Sequence, residues 1–151
     1  MEYTEKVAEY RLAYGLGKRV LPKIRLWNAE EVAKACLDLT EEPQEIVRIL
    51  CTDANLELLA WSDLFKGSIT NCEVSISEVL RFALLVPNCL RVFLVHQHPS
   101  GSAKLSDDDK ALADRLGEAF KAVGLQFMDL VAVTPNEFSA KSTFGKPLTI
   151  H

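Results

Sequence analysis

A chain of 151 residues is about the commonest size for a single domain and leaves little room for a second core. With 48% hydrophobic and 25% charged residues it is too apolar for disorder and has the balance of a soluble globular protein. The net charge of -4, without a lysine or arginine tract, offers no electrostatic reason to expect a polyanion partner.

The N-terminus, MEYTEKVAEY, carries acidic residues and no apolar signal core, and the apolar runs 80–86 and 90–95 are far too short to span a bilayer. The simplest expectation is a cytoplasmic protein with no membrane contact. Tyr10, Leu12, Tyr14 and Leu16 alternate with Arg11, Ala13 and Gly15, the period of a half-buried strand. A turn at Gly17-Lys18-Arg19 leads into a second extended stretch, Val20 to Leu26. Residues 1–27 are therefore expected to pack as N-terminal strands on a core formed by residues 28–151, one domain overall.

Asn28 reads as the N-cap of a helix with Glu30 and Glu31 in its first turn and Val32, Ala33, Cys36 and Leu37 as its apolar stripe, ending near Leu39. Ile46 to Cys51 is a β-branched run, turned at Asp53-Ala54-Asn55 into a hairpin partner from Leu56 to Trp61, with a further strand over Asp63 to Thr70. Ser77 suits the cap of a helix that runs to about Val86 and closes at Pro87-Asn88. Leu90 to His96 is a near-continuous apolar run of the kind found in the middle of a sheet.

The segment HPSGSAKL is a loop by its Pro, Gly and Ser content. Ser106 then caps a helix with Asp107, Asp108 and Asp109 in its first turn. Leu112, Leu116, Ala119, Phe120 and Val123 lie on one face, and Gly124 is the stop. Leu125 to Val133 is another strand, Pro135-Asn136 a turn and Phe138 to Ala140 a short final strand. Strands interleaved with helices predict a mixed sheet flanked by helices, an α/β or α+β sandwich. Cys36, Cys51, Cys72 and Cys89 form no C-x-x-C pair, so they read as reduced and structural.

Chemistry concentrates around two of the three histidines, His96 and His98. Positions i and i+2 of a strand face the same side, so both imidazoles can aim at one ion. Asp109, in the first turn of the following helix, can swing back over the strand end. Two histidines and a carboxylate leave a fourth zinc position open, as a catalytic site requires. Taken singly, Asp109 three residues after Ser106 is more simply a capping box, and the histidine pair could merely be hydrogen-bonded at a strand end. In combination, in strand–loop–helix order, metal binding outweighs coincidence.

His96-Gln97-His98, seven residues, then Ser106-Asp107-Asp108-Asp109 resembles the H-x-H-x7-S-x-x-D motif of JAB/MPN (JAMM) metalloproteases. The fuller text HQHPSG is similar to the RadC-like branch, bacterial proteins often labelled as DNA-repair proteins. The resemblance runs from about Asn28 to Gly145. It implies a JAB/MPN-like fold of cytidine-deaminase-like architecture, zinc held by His96, His98 and Asp109, and Glu45 as general base and acid. Glu57, Glu73 and Glu78 are the competing glutamates. In the implied chemistry zinc activates a water, Glu45 takes its proton and returns it to the leaving amine, and Ser106 steadies the oxyanion.

Three positions depart from the pattern: Gln97 stands for the usual asparagine, Leu105 for the proline before Ser106, and Leu130 for the histidine after Asp129. The leading expectation is a zinc hydrolase acting on an amide or isopeptide bond of a peptide or protein. Its rivals are a metal-dependent nuclease and a metal-binding scaffold without catalysis. The charges around the motif favour the peptide reading, since Lys104, Lys110 and Arg115 are matched by Asp107, Asp108 and Asp114. Oligomeric state is not legible.

Overall fold

A computed structural model describes residues 23–67, 74–99, 101–141 and 143–147. The expected strand over 10–16, the start of the stretch 20–26, the end of the expected strand over 63–70, Cys72 and Glu73 lie outside the described residues. The elements are α1 (Ala29–Ala35), a 3-10 turn (Leu37–Glu41), β1 (Glu45–Thr52), β2 (Leu58–Gly67), α2 (Ile76–Leu85), β3 (Arg91–Gln97), α3 (Asp107–Ala122), β4 (Gln126–Val133), β5 (Glu137–Ala140) and β6 (Thr143–Pro147). The strands form one six-stranded sheet in the order β2-β1-β3-β4-β5-β6. Among the described strands only β3 and β4 run parallel, and a parallel pair needs a crossover, which α3 supplies. The mixed sheet with helices is the α+β architecture the sequence predicted.

Side-chain alternation along the central strands divides the interior in two. Ile46, Leu50, Phe93, Val95, Val131 and Val133 pack with Val32, Ala33 and Leu39 from α1 and the 3-10 turn. Val47, Ile49, Cys51, Val92, Leu94 and Leu130 pack instead with Val79 and Ala83 of α2 and Ala113, Leu116 and Phe120 of α3. Each fully buried Val, Leu, Ile or Phe among them contributes about 1.5–3 kcal/mol by leaving water. The near-continuous apolar text of β3 follows directly, because both its faces are covered.

Several expected boundaries move. The first helix ends at Ala35 and tightens into the 3-10 turn, where the Thr40 hydroxyl donates to the Leu37 carbonyl at 2.6 Å. The second helix is capped by Ser75 rather than Ser77; the Ser75 hydroxyl accepts from the Glu78 amide at 3.4 Å. The two strands expected on either side of residue 62 are one strand, β2, whose break in regularity is a register shift opposite Val47 and Arg48. Phe138 to Ala140 is not the last strand, since β6 pairs with it. Val123, expected on the buried face of α3, is 43% exposed, and Ala113 is buried there instead. Gly124, with φ of +77°, ends α3 as its position implied. Cys36, Cys51 and Cys89 are free thiols, and burial pushes the Cys36 thiol up to about 12.

Candidate metal centre

The antiparallel register of β1 on β3 sets Val47 opposite His96, so two residues further along Glu45 comes level with His98. Glu45 shares the face of β1 that carries Val47 and Ile49, and His96 and His98 share the face of β3 that carries Val92 and Leu94. Both strands thus present these groups on the side covered by α2 and α3. The chain leaves β3 through a loop whose Ala103 and Leu105 side chains are buried and whose Ala103 amide donates to Glu137 Oε1 at 3.0 Å. Gly101, at φ of +85°, lets that loop turn sharply enough for its amide to reach the His98 carbonyl at 3.0 Å. α3 therefore begins directly over the end of β3.

Ser106 caps α3, its hydroxyl accepting from the Asp109 amide at 3.0 Å while Asp109 Oδ2 accepts from the Ser106 amide at 2.9 Å. This reciprocal capping box, the simpler reading of Asp109, is present. It also aims the carboxylate. Asp109 Oδ2 lies 3.7 Å from His96 Nε2 and 3.6 Å from His98 Nε2. In a tetrahedral zinc site with bonds of about 2.0–2.1 Å, ligand atoms are roughly 3.3 Å apart. Both histidine-to-aspartate distances are close to that edge.

Partners on the far side of each ring determine which nitrogen faces the gap. His98 Nδ1 sits 2.8 Å from the Ser102 carbonyl and His96 Nδ1 sits 3.0 Å from Glu45 Oε1. With those nitrogens donating, each Nε2 keeps its lone pair for an ion. His96 is 2% exposed, and its Nε2 is a buried polar atom with no hydrogen-bond partner. Such an orphan is costly unless something coordinates it, and a cation is the partner that a neutral imidazole and a carboxylate both accept. The donor set fits a metal ion.

Glu45, His96 and His98 also form a group whose ligand atoms lie within 4.8 Å of one another. Glu45 nevertheless contacts Nδ1 of His96, the nitrogen turned away from Asp109. An ion between the two Nε2 atoms and Asp109 would therefore have Glu45 as a neighbour. Of the competing glutamates, Glu57 lies at the opposite end of the β1–β2 hairpin and Glu78 is exposed on the first turn of α2.

Burial works against ionisation of the Asp109 carboxyl, but hydrogen bonding to His98, the charge of His96 and the Ser106 amide together hold it down at about 2. The His98 imidazole is raised from 6.5, chiefly by its contact with Asp109. A depressed carboxyl stabilises the fold above its ordinary 3.8 and loses that contribution as pH falls through about 2. A raised imidazole stabilises below 6.5 and loses its contribution as pH climbs through the folded value. In metal-free protein the wild type is thus expected to exceed Asp109→Asn most between about pH 4 and about pH 6, the gap narrowing on either side. Urea unfolding across a pH series measures this, and a gap that is flat from pH 2 to 8 counts against the charged pair.

A mixed sheet with a histidine pair at the carboxyl end of a parallel strand, facing an acidic helix start, defines an α+β domain with a prospective metal centre. The sequence profile of the RadC-like JAB domain matches residues 26–144, and the chain belongs to that family. A UPF0758 protein of Acinetobacter baumannii is 36% identical over 98 residues, 65% of this chain and 41% of the relative. One from Stutzerimonas stutzeri is 32% identical over 146 residues, 93% and 65% of the two chains, and one from Thermotoga maritima is 30% identical over 134 residues, 85% and 60%. The match thus spans about two fifths to two thirds of these relatives' own length. Among the described residues, no helix is long and apolar enough to cross a membrane.

Proposed function

We propose that the domain is a zinc-dependent hydrolase that cleaves an amide or isopeptide bond, with His96, His98 and Asp109 as the ligands. The observation that carries this reading is the buried, partnerless Nε2 of His96, which with His98 Nε2 faces a single oxygen of Asp109. Zinc bound there would supply Lewis acidity toward a water and a carbonyl oxygen. Glu45 sits beside the ligand set rather than within it, where its carboxylate can accept a proton and return it to a departing amine. The Ser106 hydroxyl accepts the cap bond from Asp109, and its own proton is assigned to a developing oxyanion.

Two features support a peptide over a phosphodiester. β2 is one of the two edge strands among the described residues, β6 being the other, and its Gly67 pairs with Glu45, so an extended chain added to the β2 edge would run beside the site. The cations near α3 are offset by neighbouring carboxylates, with Lys141 paired to Asp114; a nucleic-acid backbone needs several unneutralised ones.

The zinc-loaded protein should be assayed on a peptide library and on single- and double-stranded DNA, with Glu45→Gln as control. Glu45→Gln is expected to retain zinc while lowering peptide turnover by about 100- to 10,000-fold, the usual worth of a proton-transferring group. Metal-dependent DNA cleavage that this substitution abolishes, with peptides untouched, would replace the amide reading with the nuclease one. Zinc binding without turnover on either substrate class would favour the scaffold.

A further inference from the structure

Between the two histidines, Gln97 points to the opposite face of β3, where it is 2% exposed. Its side-chain oxygen accepts from the Ile46 amide at 2.7 Å. Its side-chain nitrogen donates to the Glu42 carbonyl at 3.2 Å and to the Gln44 carbonyl. Every one of these bonds is to main chain, and they use both amide donors and one acceptor site.

Their position in the sheet gives them meaning. The main-chain ladder between β3 and β1 ends at the pair Val47 and His96. Ile46 is next in line, and its amide meets the Gln97 side chain. The primary amide therefore takes over where the ladder stops, tying down the main chain on both sides of residue 45. Glu45, held between Gln44 and Ile46, then has its side chain delivered to the other face, 3.0 Å from His96 Nδ1. On its other edge this strand start is already paired with β2 through Glu45–Gly67 and Ile46–Lys66, so the Gln97 bonds secure the side that faces β3.

We propose that Gln97 is a positioning residue: it clamps residues 42–46 so that the Glu45 carboxylate is held against the back of His96. The same residue thereby aligns two groups on separate strands, since its neighbours in sequence are the two histidines and its hydrogen-bond partners flank the glutamate. For its catalytic meaning this inference rests on the reading of Glu45 given above. Its test is structural, so the two can fail separately.

The experiment compares the purified 151-residue chain with its Gln97→Met variant, which keeps the volume and removes the polar groups. Amide hydrogen exchange is read by NMR, and crystal structures of both proteins are determined. In Gln97→Met the Ile46 amide is expected to exchange at least about tenfold faster relative to Leu50 and Leu94, the effect of one lost buried hydrogen bond. The Glu45 carboxyl is expected to leave hydrogen-bond distance of His96 Nδ1. Gln97→Asn, one methylene shorter, carries the same two readouts should the methionine variant not fold. Exchange that rises uniformly across the sheet, with Glu45 still bonded to His96, would reduce Gln97 to a stabilising side chain and overturn the proposal. So would unchanged protection of Ile46.

Discussion

His96→Ala is expected to abolish zinc binding, taking the purified protein from about one zinc per chain to almost none. The His96 ring supplies a buried Nε2 that lies 3.7 Å from Asp109 and has no hydrogen-bond partner, so its removal takes away a principal ligand of the prospective site. The loss should be visible in stability as well as in metal analysis. With free zinc at about a thousand times its dissociation constant, binding to the folded state alone adds about 4 kcal/mol to the wild type. The variant should gain almost nothing.

Asp109→Ala is expected to lose the same zinc-induced gain, but it needs separate treatment. Removing this side chain also breaks the capping box of α3, which costs about 1 kcal/mol even without metal. The informative quantity is therefore the difference between zinc-loaded and zinc-free stability within each variant, not the absolute value. Full zinc occupancy and an undiminished zinc-induced gain in both variants would refute the site.

The second large effect lies away from the histidines. Arg48 is 6% exposed on the α1 face of β1. Its guanidinium donates at 2.6 Å to Asp63 on β2 and at 2.9 Å to Asp38 of the 3-10 turn, and it lies 4.3 Å from the centre of the Trp61 ring. Asp63 and Asp38 hold the guanidinium above its ordinary value even though burial opposes the charge. The two pairs are unequal. Asp38 is 61% exposed, so solvent screens that contact and little stability should be assigned to it, whereas Asp63 is only 14% exposed.

Arg48→Ala would strand the Asp63 carboxylate in a half-dry site and remove the stacking on Trp61. The expected cost is about 3 kcal/mol, at the low end for breaking a buried pair, or a drop of about 1–3 M in the urea midpoint. Arg48→Met combined with Asp63→Leu should recover most of it, because what costs is the unpaired charge and not the absence of the ion pair. A loss of under about 0.5 kcal/mol in Arg48→Ala would show the network to be ornamental to the fold.

Much of this protein was open to reading because its signals are local. β3 announced itself as buried on both faces, Asn28 and Ser106 are the caps their side chains suggested, and Gly124 ends its helix through a backbone angle that glycine adopts freely. His96 and His98 were placed on one face by strand period alone, and the Ser106 cap with Asp107, Asp108 and Asp109 behind it marked the helix start. These inferences need only the geometry of a strand, a cap or a turn, which a few neighbouring residues determine.

What the sequence left open depended on partners distant along the chain. Residue patterning alone does not set Glu45 apart from Glu57 or Glu78, and only the family resemblance put it first; the pairing of β1 with β3 supplies the physical reason, by bringing it against His96, 51 positions away. Gln97 looked like a spacer between two ligands, because its three main-chain partners at residues 42, 44 and 46 are invisible to periodicity. Arg48 interrupted an otherwise apolar strand with no local reason, and its reason is two carboxylates and an indole supplied by β2 and the 3-10 turn. A chain shows its periods and caps one residue at a time. Burying a polar group, however, is favourable only when donors and acceptors meet in space, and that meeting is determined by the assembled sheet.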